Sequence, residues 1–155
     1  MSEPRWLSDE EQRTWRAYLA ATRAVWDHLG GQLERDAGMP HSYYMILAGL
    51  SESPGRSMRM SDLAEWTCST RSALSHAVAR LEQLGWVRRE PVPDDRRGQF
   101  ALLTDEGFAV LVAAAPNHVE AVRQALFDPL TPEQVEQLRA ICDAVVVAIP
   151  LVSAR

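Results

Sequence analysis

The residues best suited to chemistry in this chain are those that could grip a polyanion. The segment Val92-Pro-Asp-Asp-Arg-Arg-Gly-Gln99 sets two adjacent arginines, Arg96 and Arg97, among turn-forming residues. Pro93 and the two aspartates favour a tight reversal, which would hold the arginines at its tip. An arginine on a protruding hairpin can enter the minor groove of DNA, where narrow A·T-rich stretches concentrate negative potential. DNA would repel Asp95 itself, so its chemistry fits holding an arginine extended through a charge-assisted hydrogen bond. Earlier in the chain, Ser69, Thr70, Arg71, Ser72, Ser75, His76 and Arg80 place hydroxyls, an imidazole and two guanidiniums on one short stretch. Such groups donate to phosphates and to guanine edges. Taken alone, that stretch is equally an ordinary solvated helix face, and the hairpin an ordinary charged turn. Their immediate succession favours DNA.

Other chemistries lack their residues. No Ser-His-Asp arrangement, glycine-rich phosphate loop, metal-ligand cluster or plausible carboxylate pair occurs, so neither an enzyme nor a metal or cofactor site is expected. His28, His41, His76 and His118 show no ligand spacing. Cys68 and Cys142 stand far apart in apolar, helix-like surroundings, which argues against a disulfide. Cys68 reads as a buried thiol between two helices. The alternative is a redox-sensitive thiolate favoured by the following helix start.

The net charge of −5 conceals a regional split. Residues 1–55 carry five arginines against eight acids, residues 56–97 eight against six, and residues 98–155 three against seven. Only the middle third is basic, and local potential decides where a polyanion docks. The polar, acidic N-terminus does not resemble a signal peptide, and no apolar run is long enough for a membrane span. A cytoplasmic protein without membrane attachment is expected.

The elements that must position these residues follow from periodicity. Apolar residues at Trp15, Tyr18, Leu19, Val25, Trp26, Leu29 and Leu33 recur at helical spacing, predicting a helix over 8–35 with one buried face. Ser8 and Glu11 form its capping box. Pro40 and Ser42 open a second helix, with Tyr44, Leu47 and Leu50 inward. Ser61 is expected to cap a short helix, and Cys68-Ser69-Thr70 breaks the chain before a second over 71–84. That second helix has Leu74, Val78, Leu81 and Leu84 inward and Gly85 at its end. Two short helices with a tight turn make a helix-turn-helix. Residues 86–90 and 99–103 read as strands around a loop over 91–98, giving a wing. Thr104 starts another helix, which Pro116 should kink. Thr131 and Pro132 start the last, whose end, Ile141–Ile149, is too apolar for a monomer's surface.

The stretch from Leu63 to Gly107 resembles the core of a MarR-type regulator. The wing pattern Asp-x-Arg followed by Leu-Thr-x-x-Gly matches Asp95, Arg97, Leu103, Thr104 and Gly107, and Leu-Glu-x-x-Gly matches Leu81, Glu82 and Gly85. The resemblance implies a mainly α fold with a small β-hairpin wing. A winged helix-turn-helix over 37–107 would be flanked by dimerisation helices from 1–36 and 108–155. It further implies a homodimer, a palindromic double-stranded DNA operator with half-sites about 34 Å apart, and a repressor released by a small aromatic or phenolic effector. Candidate effector contacts are Trp15, Trp26, Tyr43, Tyr44 and His118, for which core packing is the competing account. The alternative function is a winged-helix protein-interaction module, which would want an apolar outer face on residues 71–84 and no wing arginines.

Overall fold

Side chains that satisfy orphan backbone N–H groups set where most helices begin. Ser8 Oγ accepts from the Glu11 amide at 3.2 Å while the Glu11 carboxylate accepts from Ser8 N–H at 2.7 Å, starting α1 (Asp9–Ala37). Thr104 caps α5 (Asp105–Val122) by accepting the Gly107 amide alone, and Thr131 and Gln134 form the same reciprocal box for α6 (Pro132–Ala148). Between them lie α2 (His41–Glu52), β1 (Ser57–Arg59), α3 (Met60–Trp66), α4 (Arg71–Gln83), β2 (Val87–Val92) and β3 (Asp95–Leu103). The computed structural model describes residues 3–93 and 95–149, and of Arg96 and Arg97 the backbone only.

The three strands form an antiparallel sheet in the order β1-β3-β2. Val87 faces Leu103 and Arg89 faces Ala101, with a bulge between Pro91 and Val92. On the other side of β3, Ser57 faces Leu102 and Arg59 faces Phe100. Alternation buries Val87, Ala101 and Leu103 on the face toward the helices. One core joins Leu33 and Met39, Ile46, Leu47 and Leu50 of α2, Leu63 of α3, Leu74, Val78 and Leu81 of α4, and Leu111 and Ala114 of α5. Each fully buried leucine here contributes about 1.5–3 kcal/mol.

Several expectations need correction. The predicted α1 stripe is buried only from Leu29 onward: Trp15, Tyr18 and Leu19 lie about half exposed, and Trp26, met on one edge by His41, stays 53% exposed. Leu84, assigned inward, is 51% exposed because α4 ends before it. Ser61 does not cap α3, which begins at Met60 after Arg59; its hydroxyl binds Asp62 instead. Cys68 is exposed, held at φ 51° in the reversal between α3 and α4, so it does not pack as a buried thiol. The loop over 91–98 is largely strand, because cross-strand pairing continues to Val92 and resumes at Asp95. Arg96 and Arg97 therefore belong to the start of β3 and not to a loop tip. α5 continues through Pro116, and the departure from α geometry comes later, in a π turn over Arg123–Phe127. Gly85, at φ 76°, does follow the end of α4 as expected. No residue of α6 is buried.

Candidate nucleic-acid interface

α4 starts where Thr70 Oγ1 accepts the Ala73 amide at 3.1 Å, which commits the Thr70 hydroxyl to the helix cap. Leu74, Val78 and Leu81 turn inward and fix the helix against the core. That leaves Arg71, Ser72, Ser75, His76 and Arg80 exposed on the opposite side. Arg80 donates to Gln83 at 3.0 Å, and Ser69, half-buried, donates to the Thr67 carbonyl at 3.3 Å. The sequence-predicted face is thus assembled, with Ser69 and Thr70 serving the turn that starts it.

The hairpin stands beside this face. A cleft of about 350 Å³ between them is lined by Arg59, Ser61, Arg71, Ser75, Asp95 and Gln99. Asp95 folds across the start of β3, its Oδ1 accepting the Gly98 amide at 3.0 Å. A side chain at 98 would run into that carboxylate, its Cβ only 2.7 Å from Asp95 Cγ, so glycine is what lets the aspartate take this pose. Asp95 Oδ2 also accepts from Arg59 Nη1 at 3.5 Å, and the Arg59 guanidinium lies 5.6 Å from the centre of the Phe100 ring. Asp95 therefore does engage an arginine, one from β1. The expected pairing with a wing arginine involves Arg96 and Arg97 side chains, which lie outside the described residues. Arg59 escaped the sequence reading because a three-residue strand is too short for alternation to show.

Two further links join the reading elements. Glu82, in the last turn of α4, accepts from both the backbone N–H and the guanidinium of Arg89 on β2, at 3.1 and 2.7 Å. Thr104 donates to the Gly85 carbonyl at 2.7 Å while its oxygen accepts the Gly107 amide at 3.0 Å, tying the end of α4 to the start of α5.

The candidate effector residues divide. Trp26, Tyr44 and His118 converge where α1, α2 and α5 meet, together with His41, which the sequence reading had not assigned. His118 lies 4.2 Å from the Tyr44 ring and 5.4 Å from His41, and His41 meets the Trp26 ring edge-on at 4.9 Å. The spacing of His41 three residues before Tyr44 on one helix face could have revealed it. His118, only 5% exposed, has Nδ1 at 3.1 Å from Gln32 Oε1, whose amide nitrogen donates to Asp36 at 2.9 Å. That direction requires the proton on Nδ1. Burial holds the His41 imidazole below its ordinary 6.5. It does the same for His118, with His41 adding to the effect. Burial also raises the Tyr44 phenol, helped by Glu52. Trp15 stays apart, stacked on Tyr18 at 5.9 Å, and Tyr43 packs half-buried against the main core. Core packing describes Tyr44 well but not Trp26, which is 53% exposed.

Comparison with known proteins bears on the family and the fold. The family described as MarR family matches residues 37–98. A MarR family transcriptional regulator from Streptomyces coelicolor, solved in complex with DNA, is 59% identical and superposes with a TM-score of 0.91, covering 94% of this chain and 92% of that one. The HTH-type transcriptional regulator PecS of Dickeya dadantii is 44% identical over 70 residues, 45% of this chain; the chain thus spans under half of PecS, 42%. The homoprotocatechuate degradative operon repressor of Escherichia coli is 32% identical over 122 residues, 79% of this chain and 80% of that protein. The winged helix-turn-helix architecture and this likeness over nearly the full length of a solved relative establish that the chain belongs to the MarR family of transcriptional regulators, which are not enzymes.

Proposed function

We propose that this chain acts as a homodimeric, sequence-specific DNA-binding repressor that a small aromatic or phenolic effector releases from a palindromic operator. The observation that carries the DNA reading is the exposed face of Arg71, Ser72, Ser75, His76 and Arg80 on a helix buried through its other side, set directly beside the Asp95–Gly98 hairpin. The α4 side chains would read the major groove, and Arg96 and Arg97 would reach the flanking minor groove. The 59%-identical regulator solved in complex with DNA supports this. Residues 37–107 would form the DNA-binding lobe, which supplies most of the core, with Leu33, Leu111 and Ala114 packing onto it from the flanking helices. Residues 1–36 and 108–155 would form the dimerisation region, supported by the exposed apolar residues of α1 and α6.

The effector reading rests on the Trp26–His41–Tyr44–His118 group, where rings with polar edges meet at the junction of three helices. A relative named for repressing the homoprotocatechuate degradative operon is in keeping with an aromatic effector. Trp15 and Tyr43, the other expected effector contacts, stand away from this group, stacked on Tyr18 and packed against the core.

Selection of bound fragments from the encoding genome, followed by titration of the enriched duplexes, tests the function. Salt-sensitive binding with a clear preference for a symmetric sequence is expected. Arg97→Ala should weaken that binding on the order of tenfold, the size of one lost groove contact, and leave the oligomeric state unchanged. Absence of any enriched sequence would sink the reading.

A further inference from the structure

We propose that Glu82 is a positioning residue for DNA readout, setting through Arg89 the angle between α4 and the hairpin so that both engage adjacent grooves together. This deepens the DNA-binding reading above and rests on it. The chain leaves α4 at Gln83 and enters β2 at Val87, so only Leu84, Gly85 and Trp86 separate the two reading elements. Gly85 in that link has a positive φ, a conformation glycine adopts freely among several others. The link's own hydrogen bonds, Gly85 N–H to the Glu82 carbonyl and Trp86 N–H to the Leu81 carbonyl, both at 3.0 Å, hold the chain only as far as Trp86. Glu82 bridges the link from the side. Its Oε1 accepts the Arg89 amide at 3.1 Å and its Oε2 accepts Arg89 Nε at 2.7 Å, with Nη2 also in ion-pair reach.

Three features make this a brace. The guanidinium presents Nε and Nη2 together to one carboxylate oxygen, Oε2, a charge-assisted contact that limits how the planar group can turn. The backbone amide is held too, so the carboxylate grips β2 itself and not only a flexible side chain. Arg89 pairs with Ala101 in the middle of the sheet, and Ala101 is fully buried, so the held point is anchored to the core. Beyond it, β2 runs on to Val92 and the turn that leads to Asp95. A small rotation at Arg89 would be amplified at the hairpin's end, whereas groove contacts tolerate errors of about 0.5 Å and 10–20°. Both side chains keep about a quarter of their surface exposed, 29% for Glu82 and 26% for Arg89. About three-quarters covered, the pair also supports the fold, so the discriminating readout is the specific affinity and not stability.

The test uses the full chain, a duplex enriched by the wild-type protein from a random-sequence library, and a scrambled duplex of the same length. Glu82→Ala should lower affinity for the enriched duplex on the order of tenfold, while the scrambled duplex, held by phosphate contacts alone, is bound within about twofold of wild type. In an Arg97→Ala background, where the wing keeps only Arg96 to place, adding Glu82→Ala should cost clearly less than it does in the wild type. Arg89→Lys, which keeps the charge and loses the planar pair of donors, should fall between. Should Glu82→Ala fail to fold by circular dichroism, Glu82→Gln and Arg89→Lys carry the same comparison. Equal losses on both duplexes, or a loss undiminished in the Arg97→Ala background, would overturn the brace. An enriched duplex that Glu82→Ala binds like wild type sinks the brace alone; failure to enrich any duplex sinks the DNA reading and the brace with it.

Discussion

His118 sits where its charged form is disfavoured: it is buried, its Nδ1 proton is spent on Gln32, and His41 lies 5.4 Å away. Both imidazoles are held below 6.5 in the folded chain. The unfolded chain therefore takes up their protons first as pH falls, and the folded state loses stability from about 6.5 downward through the folded values, being fully stable above that window. Thermal unfolding followed from pH 7 to pH 5 should show a falling Tm, with the fall reduced in His118→Gln, which keeps a polar group beside Gln32 but cannot charge. The window excludes the carboxylates Glu11 and Glu133, whose values lie below 4.5. An identical slope in the variant would remove His118 from the effect. Trp26, Tyr44 and His118 were identifiable in the sequence as aromatic or polar residues near apolar stripes. That they meet at one point was not, because the meeting depends on how α1, α2 and α5 cross, and no spacing within one helix encodes that.

At the scale of elements, the Leu-Thr-x-x-Gly pattern gains a physical meaning. Leu103 closes the buried edge of β3, Thr104 caps α5 while holding the Gly85 carbonyl, and Gly107 lets the first turn of α5 lie against the Trp86 carbonyl. A Cβ at 107 would press into that carbonyl oxygen and sit 2.9 Å from Leu103 Cδ1. The carbonyl cannot retreat freely, since it accepts the Thr104 amide at 3.0 Å. Gly107→Ala should destabilise by about 1–3 kcal/mol despite the better helix propensity of alanine, lowering Tm by about 2–4 °C for each of those kcal/mol. A Tm equal to or above wild type would show that the junction yields. The helices themselves were legible, since capping boxes and apolar periodicity are local signals, and Ser8, Thr104 and Thr131 cap as read. β1 and the full length of the wing strands were not. β1 is committed by partners some forty positions away, as Ser57 is by Leu102, whereas Pro91 and Val92 pair nearby, with Gln99 and Asp95, but carry no local mark of strand.

For the whole molecule, α6 poses a question that a single chain does not answer. Its Ile141, Val145 and Val146, with Ile149 just beyond, lie about half exposed or more, as do Trp15, Tyr18 and Leu19 on α1. The sequence pattern that marked α1 as buried was sound as periodicity, but no partner for that face exists within the described chain. An apolar surface of this extent is unusual for a soluble monomer, which is why we assign it to a second copy. The two accounts separate on one substitution. If α6 faces water, Val145→Glu exchanges one exposed side chain for another and shifts stability by no more than about 0.5 kcal/mol. If it faces a partner, the same change buries a carboxylate without a counter-ion and should drive the assembly apart. Sedimentation should then give twice the chain mass for the wild type and single-chain mass for Val145→Glu at micromolar concentration. The wild-type Tm should also rise with protein concentration, because association stabilises by mass action, while the Tm of the variant should not. The recognition helices, no longer held in pairs, should lose affinity for a symmetric duplex far more than for an isolated half-site. A wild type of single-chain mass that still prefers a symmetric duplex would sink the dimer while leaving the DNA-binding face of α4 in place.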